Sequence, residues 1–470
     1  MIGVFVLKYV FGIRELDNMY SGVLRPGSLI VIAGHPGSGK TTFAITISYS
    51  NALNGLKTLY ITLQEDKFKL YSVMKDLGIY LEEVERKGLF KFVNIPISLD
   101  IKNSIDWINR LIEEYKPHIV VIDSINALLT GVEEKDQRAW LQNFFYGLLQ
   151  REKGLTILIA ELPYGYDRLK LGSIEFVADA IFVLKHSIEG STLVRTIEVR
   201  KVRGSPSTLV EFPFAILTGV GLKVYPPPYL EEIPIEGEEI LVPFRILREK
   251  GCHHIHKGFV IYYAQPPDAR SRLPYVILLG FLIYHGMKAL VITYNYPESM
   301  VKTFILGILT RSGLSREICE KFIDENIFVK AINPYAYSIS QIYAIELNMV
   351  EREINRSKID FIVFDDVGVI STRGFNYLIH LANQLLIFKK YGLIVLRIGS
   401  IVDDFNYRAN SLVSDIVFKY HYGMGGEIFG ARLHFWRRGM FNPTILSQDE
   451  MNSLVEELNE MLREKISLKQ

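Results

Sequence analysis

Gly34-His-Pro-Gly-Ser-Gly39-Lys40-Thr41 stands immediately after the apolar run Ser28-Leu-Ile-Val-Ile-Ala and ahead of a helical stretch beginning at Thr42. A Gly-x4-Gly-Lys-Thr octet with a strand before it and a helix after it constrains this chain more than any other feature. Its glycines let backbone N–H groups wrap a phosphate, and the helix N-terminus adds positive potential. Lys40 then reaches the outer phosphates while Thr41 can ligate Mg2+. Gly34, His35, Pro36, Gly37, Ser38, Gly39, Lys40, Thr41 and Thr42 are therefore the expected phosphate-binding residues. The octet demands a strand–turn–helix unit, and its surroundings supply the rest of a sheet. Thr58-Leu-Tyr-Ile-Thr, His118-Ile-Val-Val-Ile-Asp and Leu155-Thr-Ile-Leu-Ile-Ala are Val/Ile-rich runs separated by helical patterns, which is how parallel α/β sheets read.

Asp123 ends one of those runs, where a carboxylate can hold the magnesium beside Thr41. After the neighbouring strand comes Gln64-Glu65-Asp66, which places acids where an attacking water can be polarised. Glu65 is the expected base.

A length of 470 residues requires at least two cores, and the second half reads as a copy of the first. Gly55-Leu-Lys-Thr-Leu-Tyr-Ile-Thr returns as Gly286-Met-Lys-Ala-Leu-Val-Ile-Thr. Ile119-Val-Val-Ile-Asp123 returns as Phe361-Ile-Val-Phe-Asp365, and Phe176-Val-Ala-Asp179 as Leu412-Val-Ser-Asp415. Matches in the same order with slowly drifting offsets indicate a tandem duplication. The prolines and acids from Tyr225 to Glu239 favour an extended connection. The expected organisation is a first domain over 1–228, a linker over 229–242, a second domain over 243–446 and a C-terminal amphipathic helix over 447–470. Leu454, Val455, Leu458, Met461, Leu462 and Ile466 recur at helical spacing in that tail.

Composition excludes several classes. With 53 basic against 52 acidic side chains, no global field exists to hold nucleic acid nonspecifically. Two cysteines, Cys252 and Cys319, cannot build a disulfide framework, so a reducing cytoplasm is expected. The apolar opening reads as no signal peptide. The most apolar window, Tyr275 to Tyr294, is broken by His285-Gly286 and Lys288 and predicts a buried helix followed by a buried strand rather than a membrane span. Cys252-His-His-Ile-His256 carries ligand-type residues at a spacing that matches no common zinc pattern.

Taken together, Gly12-Ile-Arg-Glu-Leu-Asp17, Gly34 to Thr42, Asp123-Ser-Ile-Asn-Ala-Leu, Glu175-Phe-Val-Ala-Asp-Ala-Ile, Arg200-Lys-Val-Arg-Gly-Ser and Pro213-Phe-Ala-Ile-Leu-Thr make the chain resemble the KaiC-like branch of the RecA superfamily. The resemblance covers nearly its whole length. It implies two tandem RecA-like domains, each a mainly parallel sheet flanked by helices, with ATP and Mg2+ as cofactors. It also implies that Lys201 and Arg203 project onto the ATP of an adjacent subunit. A ring-type homo-oligomer, a hexamer, follows from that, with a regulatory protein as a further partner; neither nucleic acid nor membrane is expected. One departure is Gln64, where such ATPases commonly carry the first of two glutamates; an amide cannot take a proton, so slow hydrolysis is expected.

The second copy departs further. Gln265 stands opposite Gly34, Arg270 opposite Gly39, Ser271 opposite Lys40 and Arg272 opposite Thr41, and Asn295-Tyr296 replaces Gln64-Glu65. Side chains occupy a turn that must be bare backbone, so a pseudo-ATPase domain is expected, with Arg270 and Arg272 in structural ion pairs. The function this supports is a slow, regulatory Mg-ATPase. Two alternatives are a non-hydrolysing scaffold latched by ATP and a recombinase-like protein binding single-stranded DNA.

Overall fold

Leu29–Gly34 (β1) is buried at every position, and strands of this kind, apolar on both faces, belong inside a sheet covered by helices on both sides. In the computed structural model, which describes residues 8–20, 22–95, 101–129, 154–162, 177–189, 192–204, 211–228, 230, 237–371, 375–423, 430–440 and 442–467, β1 is that central strand. The chain divides into two units, Met1–Pro226 and Pro227–Gln470. Glu175, Phe176, Ser205 and half of the expected linker, 229 and 231–236, lie outside the described residues.

The first unit adds Thr58–Thr62 (β2), Phe90–Asn94 (β3), Ile119–Asp123 (β4), Leu155–Glu161 (β5), Ala180–Glu189 (β6), Thr192–Val202 (β7), Glu211–Leu217 (β8) and Gly221–Val224 (β9). Their order is β3-β2-β4-β5-β1-β6-β7-β8-β9. Pairing is parallel from β3 to β6 and antiparallel beyond. Helix Lys40–Leu53 follows β1 and buries Phe43, Ala44, Ile45 and Ile47. Its face joins Phe11, Tyr60 and Phe182 in one core, while Val31, Ile61 and Ile122 face a second core on the other side of the sheet.

The second unit repeats this plan. Val260–Gln265 (β12), Ala289–Thr293 (β13), Ile327–Ala331 (β14), Phe361–Asp365 (β15), Ile394–Ser400 (β16), Ile416–Gly423 (β17), Gly430–Arg437 (β18) and Thr444–Leu446 (β19) run in the order β14-β13-β15-β16-β12-β17-β18-β19. Substituting each strand by the one in the same place of the second unit reproduces the first sheet up to β8. The correspondence extends to single bonds. Asp179 Oδ2 accepts from Leu29 N at 2.9 Å and its carbonyl from Arg203 N at 2.8 Å; Asp415 Oδ2 accepts from Val260 N at 2.9 Å and its carbonyl from Arg438 N at 3.0 Å.

Three local outcomes bear on the sequence reading. The apolar window is helix Leu273–His285, buried almost all round and closed by Gly286 in the left-handed region, followed by β13. The tail forms helix Gln448–Ser467, whose Leu454, Leu458 and Leu462 join the second unit's own core. Glu239–Leu241 (β10), placed in the expected linker, pairs instead with His254–His256 (β11). Leaving Ile240 and Ile255 unpaired would expose two side chains that this small ribbon buries. Among the described residues, no helix is long and apolar enough to cross a membrane.

Candidate functional site

The loop after β1 is built where backbones approach too closely for side chains. A Cβ on Gly34 would lie 2.2 Å from the Leu184 carbonyl oxygen of β6, so the first glycine is dictated by the neighbouring strand. Gly37 and Gly39 take φ of +76° and +103°, a region L-residues avoid. Ile216 from β8 packs against Gly39. Lys40 opens the helix with only 8% of its surface exposed, and its Nζ donates to the His35 carbonyl at 3.0 Å. Burial pushes the ammonium pKa down, while Glu161 and then Asp123 act to raise it. Ser38 Oγ is buried with no hydrogen-bond partner. Bare glycine backbone, a buried cation and an orphaned hydroxyl make a cradle that fits a phosphate group.

At the ends of β2 and β4 the carboxylates gather. Thr41 Oγ1 donates to Asp123 Oδ2 at 3.0 Å, and the Tyr60 hydroxyl donates to the same oxygen at 2.6 Å. Desolvation raises the Asp123 pKa, against the lowering by these two donors and by Lys40. Hydroxyl and carboxylate oxygens side by side are the hard donors Mg2+ takes. Glu65 is anchored by its backbone, with its N–H on Thr62 Oγ1 at 3.0 Å and its carbonyl accepting from Asn94 Nδ2 at 2.9 Å. Burial and then the Asp123 charge raise its pKa. The structure thus brings together Lys40, Thr41, Asp123 and Glu65.

Two neighbours were not anticipated. Glu161 ends β5 in register with Gly34, its backbone clamped by Asn126 through bonds of 2.7 and 3.3 Å. Tyr60 reads as an ordinary core aromatic in the β2 alternation; only the end-to-end pairing of β2 with β4 puts its hydroxyl on Asp123. A glutamate directly after an apolar strand was the available signal for Glu161.

Lys201 and Arg203 lie elsewhere. Lys201 pairs with Ile181, and Arg203 ion-pairs with Asp179 at 3.2 Å while remaining 55% exposed. Gly34 is level with Leu184, so these residues sit roughly 10 and 16 Å back along the strands at about 3.3 Å per residue. They do not reach the loop of their own chain.

In the second unit the loop is closed by its own side chains. Ser271 N donates to Gln265 Oε1 at 2.9 Å, and Leu273 N to Ser271 Oγ at 3.1 Å. Pro274 has no N–H, and Tyr275 N donates to the Arg272 carbonyl at 3.1 Å. Donors at the start of this helix, Ser271 N and Leu273 N among them, are thus answered by the loop's own side chains. Arg270 Nη2 pairs with Asp366 at 3.1 Å, as expected for a structural ion pair, while Arg272 is exposed at the loop's end. Asp365, the counterpart of Asp123, is pushed up to about 6 by burial.

A parallel sheet with a glycine loop, an invading lysine, and a threonine–aspartate pair on adjacent strand ends defines a P-loop nucleotide-binding unit of the RecA kind. Residues 10–229 match the family model for the KaiC ATPase. The circadian clock oscillator protein KaiC of Parasynechococcus marenigrum is 29% identical over 239 residues, 47% of this chain and 45% of that protein. The circadian clock protein KaiC3 of a Synechocystis species is 29% identical over 232 residues, 47% of this chain and 46% of its own length. The matched stretch thus spans about half the length of these curated relatives. The first unit has a RecA-like fold and over residues 10–229 is similar to the KaiC ATPase, a similarity that implies nucleotide binding.

Proposed function

We propose that the first unit binds Mg-ATP and hydrolyses it slowly, in a site completed by Lys201 and Arg203 of a neighbouring copy within a ring, a hexamer by its resemblance. The observation that carries this is the 3.0 Å contact of Thr41 with Asp123, beside the buried Lys40. Gly34 to Thr42 hold the phosphates; Thr41 and Asp123 would hold Mg2+, which supplies positive charge on the phosphate oxygens. Glu65 takes the proton from water as its oxygen attacks the γ-phosphorus and the bond to ADP breaks. The raised Glu65 pKa suits a base that must accept a proton.

Placement of Lys201 and Arg203 far from their own loop favours action in trans, where cations on developing phosphate charge contribute about 10³–10⁵ in rate in other phosphoryl-transfer enzymes. Gln64, exposed and neutral, favours slow turnover. The test is phosphate release from Mg-ATP by the full chain and by Lys40→Ala. Release that stops in the variant supports the reading; equal release by both overturns it. ATP bound without release would favour the nucleotide-latched scaffold instead.

A further inference from the structure

The remodelled loop of the second unit borders a half-open pocket of about 150 Å³, a size that accommodates a benzene-sized molecule. It sits at the C-terminal ends of β12 and β15, the crevice where open α/β sheets bind ligands. Its lining is aromatic and charged: Tyr275, Tyr296 and Phe304 with the carboxylates of Asp365 and Asp366 and the guanidiniums of Arg270 and Arg272. Tyr296 and Phe304 stand edge to face, with centroids 5.7 Å apart.

Two guanidiniums and two carboxylates line the cavity, but they are not paired one to one. Asp366 takes Arg270 at 3.1 Å, Asn295 Nδ2 at 2.8 Å and Ser400 Oγ at 3.4 Å. Its neighbour Asp365 is as deeply buried, yet among the described residues it forms no ion pair, and Arg270 acts on it only from further away. The Tyr275 hydroxyl is turned toward Asp365 without reaching hydrogen-bond geometry, and it is buried with no partner on a residue only 7% exposed. A buried carboxylate that forms no ion pair, favoured by the nearby Thr293 and Tyr275 hydroxyls, and a phenol outside hydrogen-bond geometry therefore face the same space.

We infer that this cavity binds a small organic ammonium ion. Its N–H groups donate to the Asp365 carboxylate and the Tyr275 oxygen, and its apolar body lies against the Tyr296 and Phe304 rings, whose faces attract cations. Arg270, held over Tyr296 at 5.6 Å, already shows one cation accepted by these aromatics. Arg272 at the rim, reaching over the neighbouring helix near Gly307, keeps the ligand's charge on the inner, acidic side. This goes beyond the ATP reading of the first unit and does not depend on it.

The experiment uses the full chain and three probes of one size, benzylamine, benzyl alcohol and benzoate, followed by titration calorimetry and saturation-transfer NMR at neutral pH. Benzylamine is expected to bind once per chain, about tenfold or more tighter than benzyl alcohol, with no binding of benzoate. Asp365→Asn is expected to remove that preference. Ile308→Phe, which narrows the cavity and leaves both carboxylates in place, is expected to abolish binding; circular dichroism of both variants separates loss of the site from loss of fold. Equal binding of amine and alcohol, binding of benzoate, benzylamine affinity unchanged in either folded variant, or no binding of benzylamine at millimolar concentration would each overturn the inference.

Discussion

Replacing Tyr60 by phenylalanine tests whether Asp123 is held for a metal or merely buried. The phenol is fully enclosed and donates at 2.6 Å to the Asp123 oxygen that also receives Thr41. Phenylalanine keeps the ring contact with Phe92, stacked at 5.9 Å, and removes one donor. A hydrogen bond to a charged group contributes about 1.5–3 kcal/mol, and of the Thr41 and Tyr60 donors this oxygen then keeps only Thr41. Tyr60→Phe should therefore cost about 1.5–3 kcal/mol of stability at neutral pH, read by urea denaturation. The sign with pH follows from the groups themselves. Burial already raises the Asp123 pKa, and Tyr60 opposes that rise, so its removal lifts the pKa further. The cost is then present where Asp123 is ionised and disappears as pH falls through its folded pKa. Because a protonated carboxyl is a poor metal ligand, the acid limb of Mg-ATP hydrolysis should move to higher pH in the variant. A variant within about 0.5 kcal/mol of the parent, the size of an ordinary neutral substitution, with an unshifted acid limb would refute this reasoning.

Three further outcomes are expected. Lys40→Ala and Arg203→Ala should each be inactive alone and regain activity when mixed, because some interfaces then join an intact loop to an intact finger; phosphate release by the mixture measures this. Gly34→Ala would push a methyl against the Leu184 carbonyl, costing about 1–3 kcal/mol and weakening nucleotide binding, as a thermal-shift titration with ATP would reveal. In the second unit, burial raises Asp365 to about 6, so its contribution to stability is full below the unfolded carboxylate range and is lost as pH rises to about 6. Asp365→Asn removes that decline and should be the more stable form at pH 8 by on the order of 2–3 kcal/mol, measured by denaturation at pH 4.5 and 8.

The strands of both sheets were legible because parallel strands buried on both faces carry continuous apolar runs, as in Ile119–Asp123 and Phe361–Asp365. The loop was legible because its glycines answer a local backbone requirement. What escaped were contacts made by pairing distant segments. Tyr60 meets Asp123 only across β2 and β4; Glu161 comes level with Gly34 only across β5 and β1. Arg270 could be read as an ion-pairing residue, but its partner Asp366, one position after the expected carboxylate, needed the fold. Prolines and acids hid β10, whose single buried Ile240 is too short a signal for a strand. Lys201 and Arg203 were reached through resemblance, since basic residues near the end of an outer strand carry no local sign of a phosphate.

The central claim is that a lone copy has an incomplete site. Phosphate release from Mg-ATP across a range of protein concentrations tests it most directly. Specific activity that rises with concentration and levels off as copies assemble is the predicted result; specific activity independent of concentration, from a chain shown to be monomeric throughout, would contradict it.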